Sequence, residues 1–479
     1  MLARVLSAAL IGVEAVPIRV EVDVAGGLPS FTTVGLPDSA VRESRERVRT
    51  AIRNAGFTFP NDRITVNLAP ADIRKEGAAF DLPIALGILA ATGAFDGGRE
   101  SFLVVGELAL DGQIQAVRGV LAVGLACRRH RVATVLVPLA NLGEAVAVAG
   151  VRALAASTLA EAVRLLRGEV LPPPMAPPVS PAITAGEDGD FSEVRGQAHA
   201  KRALEIAAAG GHNLLLVGPP GTGKTMLARR LTGILPPPAD DEVLEVSTIW
   251  SVAGLLPAGA GLLKTRPFRA PHHTISVSGL IGGGSPPHPG EVTLAHRGVL
   301  FLDELPEFQQ HVLESLRQPL EDGRVSIARA AGVGNFPARF QLVAAANPCR
   351  RGCPSLDRCV CTPAERGRYL GRLSRPLLDR VDLHIELPAL DARELHAAAT
   401  EEKSAIIRAR VARARIRQRE RFRGTSLRIN TDMSARQLRR FCLLPADGER
   451  LLTTAAARLG LSARGHARLL KVARTIADL

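Results

Sequence analysis

The run NLLLVGPPGTGKTMLARRL (residues 213–231) holds residue types that can grip a polyphosphate. An apolar stretch from Asn213 to Val217 leads into Gly218, Pro219, Pro220, Gly221, Thr222, Gly223, Lys224 and Thr225, and Met226 follows in a helix-like segment. Glycines let successive amides turn toward phosphate oxygens, and a helix start just beyond adds its positive end. The spacing assigns Lys224 to the β- and γ-phosphates and the Thr225 hydroxyl to Mg2+, so ATP and Mg2+ are the expected cofactors. A second apolar run, Val299 to Leu302, ends in Asp303 and Glu304. Behind a phosphate loop, Asp303 would hold the Mg2+ through water and Glu304 would orient and deprotonate the attacking water. A third run, FQLVAAANP, ends at Asn347, either an amide that positions this water or an ordinary strand terminus before proline. In SRPLLDRVDL, Arg375 and Arg380 read by themselves as part of a plain helix end, although an arginine so placed could neutralise charge on a terminal phosphate.

A different chemistry is written in NPCRRGCPSLDRCVCTP. Cys349, Cys353, Cys359 and Cys361 can close a tetrahedral, structural Zn2+ site directly after the Asn347 strand, or remain reduced loop thiols. Cys127 and Cys442 stand alone and read as packing residues.

The elements that must position these groups follow from the patterning. The chain of 479 residues is 46% hydrophobic and 22% charged, enough to bury cores and inconsistent with wholesale disorder. Its net charge of +13 suits a polyanionic partner, and with 3% aromatics the grip would be on phosphates more than stacked bases. The longest apolar stretch, between Asp81 and Asp96, contains Pro83 and falls short of a membrane span. The N-terminus resembles a secretory leader superficially, but Glu14 and the alternating IRVEVDV predict a first strand pair and a cytoplasmic protein.

The proline-rich LPPPMAPPVSP marks a linker over residues 171–190, preceded by a mixed α+β domain over 1–170. Alternating strands and helices over 191–390 predict an α/β core with a parallel sheet. Residues 391–479 read as helical. Within them, SAIIRARVARARIRQRERFR places Ile407, Val411 and Ala414 on one face, with its arginines expected on a solvated one. The final KVARTIADL reads as an interrupted helix, as if this helical region continued.

The four elements in this order, together with DFSEVRGQAHAKRALEIAAAGGHN, RPFRAPHHTISVSGLIGGG and GVLFLDELPEF, resemble AAA+ ATPases of the magnesium-chelatase-like ComM/YifB family. The resemblance spans nearly the whole chain. It implies a P-loop AAA+ core with a helical lid, and hexameric rings that act on single-stranded or branched DNA as branch-migration helicases during natural transformation. It implies Gln197 near the adenine, Arg380 as leading arginine finger with Arg375 second, and Arg464 as the lid arginine that senses the γ-phosphate. It also implies pore-facing DNA loops, with Arg266, Arg269, His272 and His273 around Phe268, and Arg324, Arg329 and Arg339 on a hairpin, although any one of these arginines suits an acid at a subunit interface equally well. The family usually extends beyond RTIADL. The first domain resembles the peptidase domain of Lon (S5-like), and an ungapped alignment puts Ala79 at the serine and Leu121 at the lysine of that enzyme's dyad. Neither side chain can attack or take a proton, which disfavours an ATP-dependent protease. A motor with a protein client, chelatase-like or chaperone-like, is the alternative.

Overall fold

The computed structural model describes residues 1–96, 102–169, 189–257, 261–285, 287–329, 332–353, 358–389 and 402–479. All but the last two residues of the expected linker, 171–190, lie outside that set. So do the first residues of the expected helical region, up to 401.

The alternating start of the chain forms a strand pair, Leu2–Ile11 antiparallel to Glu14–Ala25, in register from Leu2↔Asp23 to Ile11↔Glu14. Ile18, Val20 and Val22 point to one face of the second strand and are fully buried, while Arg19 and Glu21 take the other. Seven strands make one mixed sheet, in the order Ser30–Val34, Arg63–Ala69, Glu14–Ala25, Leu2–Ile11, Phe102–Val104, Thr134–Pro138, Arg152–Ala156. The helix Asp81–Ala91 is buried along its whole length. Beside it lies the amphipathic helix Ser39–Asn54, which buries Val41, Val48, Ala51 and Ile52.

The core that follows is a five-stranded, all-parallel sheet. Its order is Phe268–Arg269, Val299–Leu302, Gln341–Ala346, Leu214–Val217, Leu383–Glu386. Numbered along the chain, this order is 2-3-4-1-5: the chain leaves the first strand for the edge strand on one side, and later crosses over it from the fourth strand to the fifth on the other. Open parallel sheets bind ligands at the carboxyl ends of strands around such a reversal. Both faces are covered, as near-continuous apolar strands such as LLLV and VLFL require. The helices Ala198–Gly210 and Lys224–Ile234 pack together, and Ser404–Arg421 packs on both.

Ser404–Arg421 buries Ile407, Val411 and Ala414 as its spacing predicts. Arg408, Arg413, Arg417 and Arg419 keep the expected exposed face, whereas three other arginines of the helix turn toward its neighbours. Arg410 pairs with Glu205 and Glu402, Arg421 with Asp478, and Arg415 donates to Ala208 O at 2.7 Å. Carboxylates and a helix-end carbonyl on neighbouring segments draw these three guanidiniums toward them. Three further helices, Ala435–Phe441, Ala446–Leu459 and Ala463–Asp478, complete the region.

The first domain is joined to the core by a buried polar contact. Glu144 accepts from the Ser251 hydroxyl and from Leu121 N–H (3.2 Å), and Gly119 N–H donates to Ser251 O at 3.0 Å. Val252, on the same helix Asp240–Ala253, enters the first domain's apolar cluster. Leu121 is fully buried at this joint, and Ala79 lines a cleft that also reaches His288 of the core. Among the described residues no helix is long and apolar enough to cross a membrane.

Candidate nucleotide site

The parallel register decides which side chains meet. Val217 pairs with Ala346 and Leu302 with Ala344, so Gly218, Asn347 and Asp303 leave the sheet at one edge. The loop from Gly218 is then shaped by its glycines. Gly221 and Gly223 have φ of +82° and +83°, a region costly for residues with a Cβ. Gly218 serves differently: a Cβ there would meet Leu387 O at 2.7 Å. The helix Lys224–Ile234 begins after Gly223 with no side-chain cap, so its first N–H groups can serve an anion.

Lys224 Nζ donates to Gly218 O (2.7 Å), Pro219 O (2.8 Å) and Asn347 Oδ1 (3.1 Å). Burial pushes its ammonium below the ordinary value, against the pull of Asp303 and Glu304. The Thr225 hydroxyl donates to Asp303 Oδ2 at 2.6 Å, and Asp303 Oδ1 accepts from Glu304 N–H at 2.9 Å. Thr222 Oγ1 donates to Pro219 O at 2.9 Å, and Met226 is exposed at the helix start. A cation, a hydroxyl–carboxylate pair and an amide thus converge on one loop, the donor and acceptor set that a Mg2+-bound triphosphate needs. Glu304 sits in the left-handed region (φ +51°), an uncommon conformation for a non-glycine residue and one that clusters at functional sites. Gln197 is likewise left-handed (φ +54°) and donates to Pro388 O at 3.0 Å, next to the Leu387 that abuts Gly218.

His273, expected on a DNA-facing loop, lies beside this site. Its Nδ1 lies 3.5 Å from Glu304 Oε2, with its ring edge-on to Phe308. The reason is topological: Phe268–Arg269 pairs with Val299–Leu300, so the residues after it emerge beside Glu304. The same strand overturns part of the DNA-loop expectation. Arg266 donates to Pro236 O (2.7 Å), Arg297 O (2.7 Å) and Glu242 (2.8 Å), and Arg269 makes a two-point contact with Glu291 at 2.6 and 2.7 Å. Both guanidiniums face inward and neutralise acids on neighbouring helices. Arg324 and Arg339 are exposed, with Arg324 opening the hairpin Arg324–Arg329/Gly332–Pro337 and Arg339 just after it. The side chain of Arg329 lies outside the described residues.

Arg380 and Arg464 are not brought to the loop of their own chain. Asn213 Nδ2 donates to Arg380 O (2.9 Å) at the amino end of the strand whose carboxyl end launches Gly218. At about 3.3 Å per residue that separation is about 16 Å. Arg464 lies with Arg380, both bound to Glu321, and Arg375 is exposed at the start of the short helix Arg375–Leu378.

The four cysteines do gather. The Sγ atoms of Cys349, Cys353, Cys359 and Cys361 lie within 4.8 Å of one another, against about 3.8 Å for an ideal tetrahedron of Zn–S bonds of about 2.3 Å. Burial works to raise the Cys349 thiol, but Cys353 N–H and the neighbouring thiols bring it down to about 7, while burial pushes Cys361 up to about 12. An all-sulfur donor set suits a soft, tetrahedral ion such as Zn2+. This loop touches the phosphate loop: a Cβ on Gly352 would lie 2.6 Å from Pro220 Cγ.

Three family descriptions match in tandem: "Subunit ChlI of Mg-chelatase" over residues 20–141, "Magnesium chelatase, subunit ChlI" over 190–395 and "Magnesium chelatase, subunit ChlI C-terminal" over 401–479. The chain is 46% identical over 484 residues to the competence protein ComM of Haemophilus influenzae, covering 100% of this chain and 94% of that one. It is 44% identical over 483 residues to the YifB protein of Salmonella typhimurium, covering 100% and 93%. The magnesium-chelatase 38 kDa subunit of Rhodobacter capsulatus is 29% identical over 177 residues, 33% of this chain and 50% of that subunit.

Proposed function

Since the chain belongs to the magnesium-chelatase-like AAA+ family that includes ComM and YifB, we propose that it is an ATP-hydrolysing DNA motor of the cytoplasm. The observation that carries the ATPase is the meeting of Lys224, Thr225, Asp303 and Asn347 at one sheet edge. In this reading Lys224 and the loop amides bind the triphosphate, and Thr225 and Asp303 hold Mg2+, which neutralises charge on the phosphates. Glu304 takes the proton of the attacking water, Asn347 orients that water, and Gln197 lies on the adenine side. Because Arg380 and Arg464 lie at the far end of the strand from their own loop, the γ-phosphate they serve belongs to an adjoining subunit. That arrangement needs a head-to-tail contact between subunits, which we read as closing into a hexameric ring.

The choice of DNA rests on the +13 charge, on the exposed Arg324 and Arg339 at the hairpin, and on a competence protein among the similar chains. The activity is branch migration on single-stranded or branched DNA during transformation, with Zn2+ in the four-cysteine loop as a structural ion. The three ChlI descriptions favour a second reading, a motor whose client is a protein. ATP turnover measured with and without forked DNA, together with branch migration of a synthetic junction, separates the two. DNA-stimulated turnover that disappears in Lys224→Ala and Glu304→Gln is expected. Turnover indifferent to DNA but raised by a protein client refutes the DNA reading.

A further inference from the structure

Glu321 occupies the short helix Arg317–Asp322, and its two carboxylate oxygens are divided between two arginines from different parts of the chain. Oε2 accepts from Arg380 Nη2, and Oε1 accepts from Arg464 Nη2 at 3.1 Å. Arg380 belongs to the core and keeps a second anchor, Nη1 to Pro376 O at 2.6 Å. Arg464 belongs to the first turn of Ala463–Asp478, so one acid ties the core to the C-terminal helices here. The Arg380 side chain is 11% exposed, whereas Glu321 and Arg464 are 51% and 61% exposed. Arg380, then Arg464 and Arg317, hold the Glu321 carboxyl below its ordinary range. Two guanidiniums facing one carboxylate leave a net positive charge on an accessible surface.

We propose that Glu321 is a positioning residue, a shared latch that keeps Arg380 and Arg464 side by side until a terminal phosphate takes both. This rests on the reading that the two arginines act across a subunit boundary. A terminal phosphate carries more charge than a carboxylate and offers three acceptor oxygens. The carboxylate common to both pairs is half exposed, and ion pairs open to solvent are individually weak. The exchange is therefore close to balanced, and Glu321 acts as a built-in competitor that sets how much nucleotide is needed to engage the arginines. Neutralising it strengthens nucleotide engagement, where loss of a mere structural support would weaken it.

The test is steady-state ATP turnover of the full chain with Mg2+, comparing wild type, Glu321→Gln, Glu321→Asp and Arg380→Ala. In Glu321→Gln the KM for ATP is expected to fall about two- to fivefold, the size of an exposed ion-pair effect, with kcat retained. Glu321→Asp, which keeps the charge, is expected to return KM toward wild type. A KM in Glu321→Gln that is unchanged or raised, with turnover lost in Arg380→Ala, overturns the latch alone. Wild-type turnover in Arg380→Ala removes the cross-boundary reading and the latch with it.

Discussion

Asn347→Asp gives opposite signs for stability and for nucleotide binding, and both can be estimated from one distance. Asn347 Oδ1 stands 3.1 Å from Lys224 Nζ, on a buried lysine whose other hydrogen bonds go to the carbonyls of Gly218 and Pro219. A carboxylate there forms an ion pair with Lys224 when no nucleotide is bound. Unit charges about 4 Å apart interact by about 4 kcal/mol at an effective dielectric near 20. Desolvating the new carboxylate offsets most of that, leaving a net gain of about 1 kcal/mol for the nucleotide-free protein. With ATP present, the same charge faces the γ-phosphate and competes for the same ammonium. A loss of about 2–4 kcal/mol in binding is expected, about 30- to 1000-fold in Kd. Titration calorimetry with Mg2+ and a nonhydrolysable ATP analogue reads the second effect, and the melting temperature without nucleotide reads the first. The variant should melt no lower than wild type yet bind far more weakly. An affinity within threefold of wild type would refute the placement of the γ-phosphate between Lys224 and Asn347.

Metal analysis of the purified protein is expected to find about one Zn2+ per chain, lost in the Cys349→Ser/Cys361→Ser double variant. Because Gly352 packs on Pro220, metal loss should also weaken ATP binding; full occupancy in the variant excludes the site. Gly218→Ala should cost about 1–3 kcal/mol in thermal unfolding, since its Cβ meets Leu387 O at 2.7 Å. Gly233→Ala is the control: only Ser404 Oγ lies near, at 3.9 Å, and the change should be neutral or stabilising by up to about 1 kcal/mol. For pH, burial opposes ionisation of Asp190, but donors from Ser192 and Ser404 hold its carboxyl down at about 2, below the ordinary 3.8. A depressed carboxyl contributes stability above its unfolded value and loses it as pH falls through the folded one. Melting temperature should therefore decline between about pH 4 and pH 2, less steeply in Asp190→Asn. Equal slopes would deny Asp190 that role.

Much of this was legible in residue order, because it rests on local physics. Alternation in IRVEVDV marks a half-buried strand, three apolar residues at helical spacing give Ser404–Arg421 its buried face, and glycines before Lys224 mark a loop needing positive φ. Even the approach of Asp303 and Asn347 could be anticipated, since each ends an apolar strand and parallel strands deliver their carboxyl ends to one edge. Partner choice among arginines could not. In RPFRAPHH, Arg266 and Arg269 suit a DNA phosphate or an acid equally well, and only the fold assigns them Glu242 and Glu291, 24 and 22 residues away. An ion pair depends on which elements lie adjacent, and sequence spacing carries no record of that.

By itself, then, the sequence determined the parts that are decided within a single element: strand and helix type, the phosphate loop, and the acids and amide at strand ends. Only the tertiary structure decided which of them meet. Strand order set His273 beside Glu304, loop packing set Gly352 against Pro220, and the docking of the last helix put Arg464 and Arg380 on Glu321. Hydrophobic periodicity is a short-range code, written within one turn or one pleat. Charge pairing and close packing are settled only when distant segments are brought within a few ångströms.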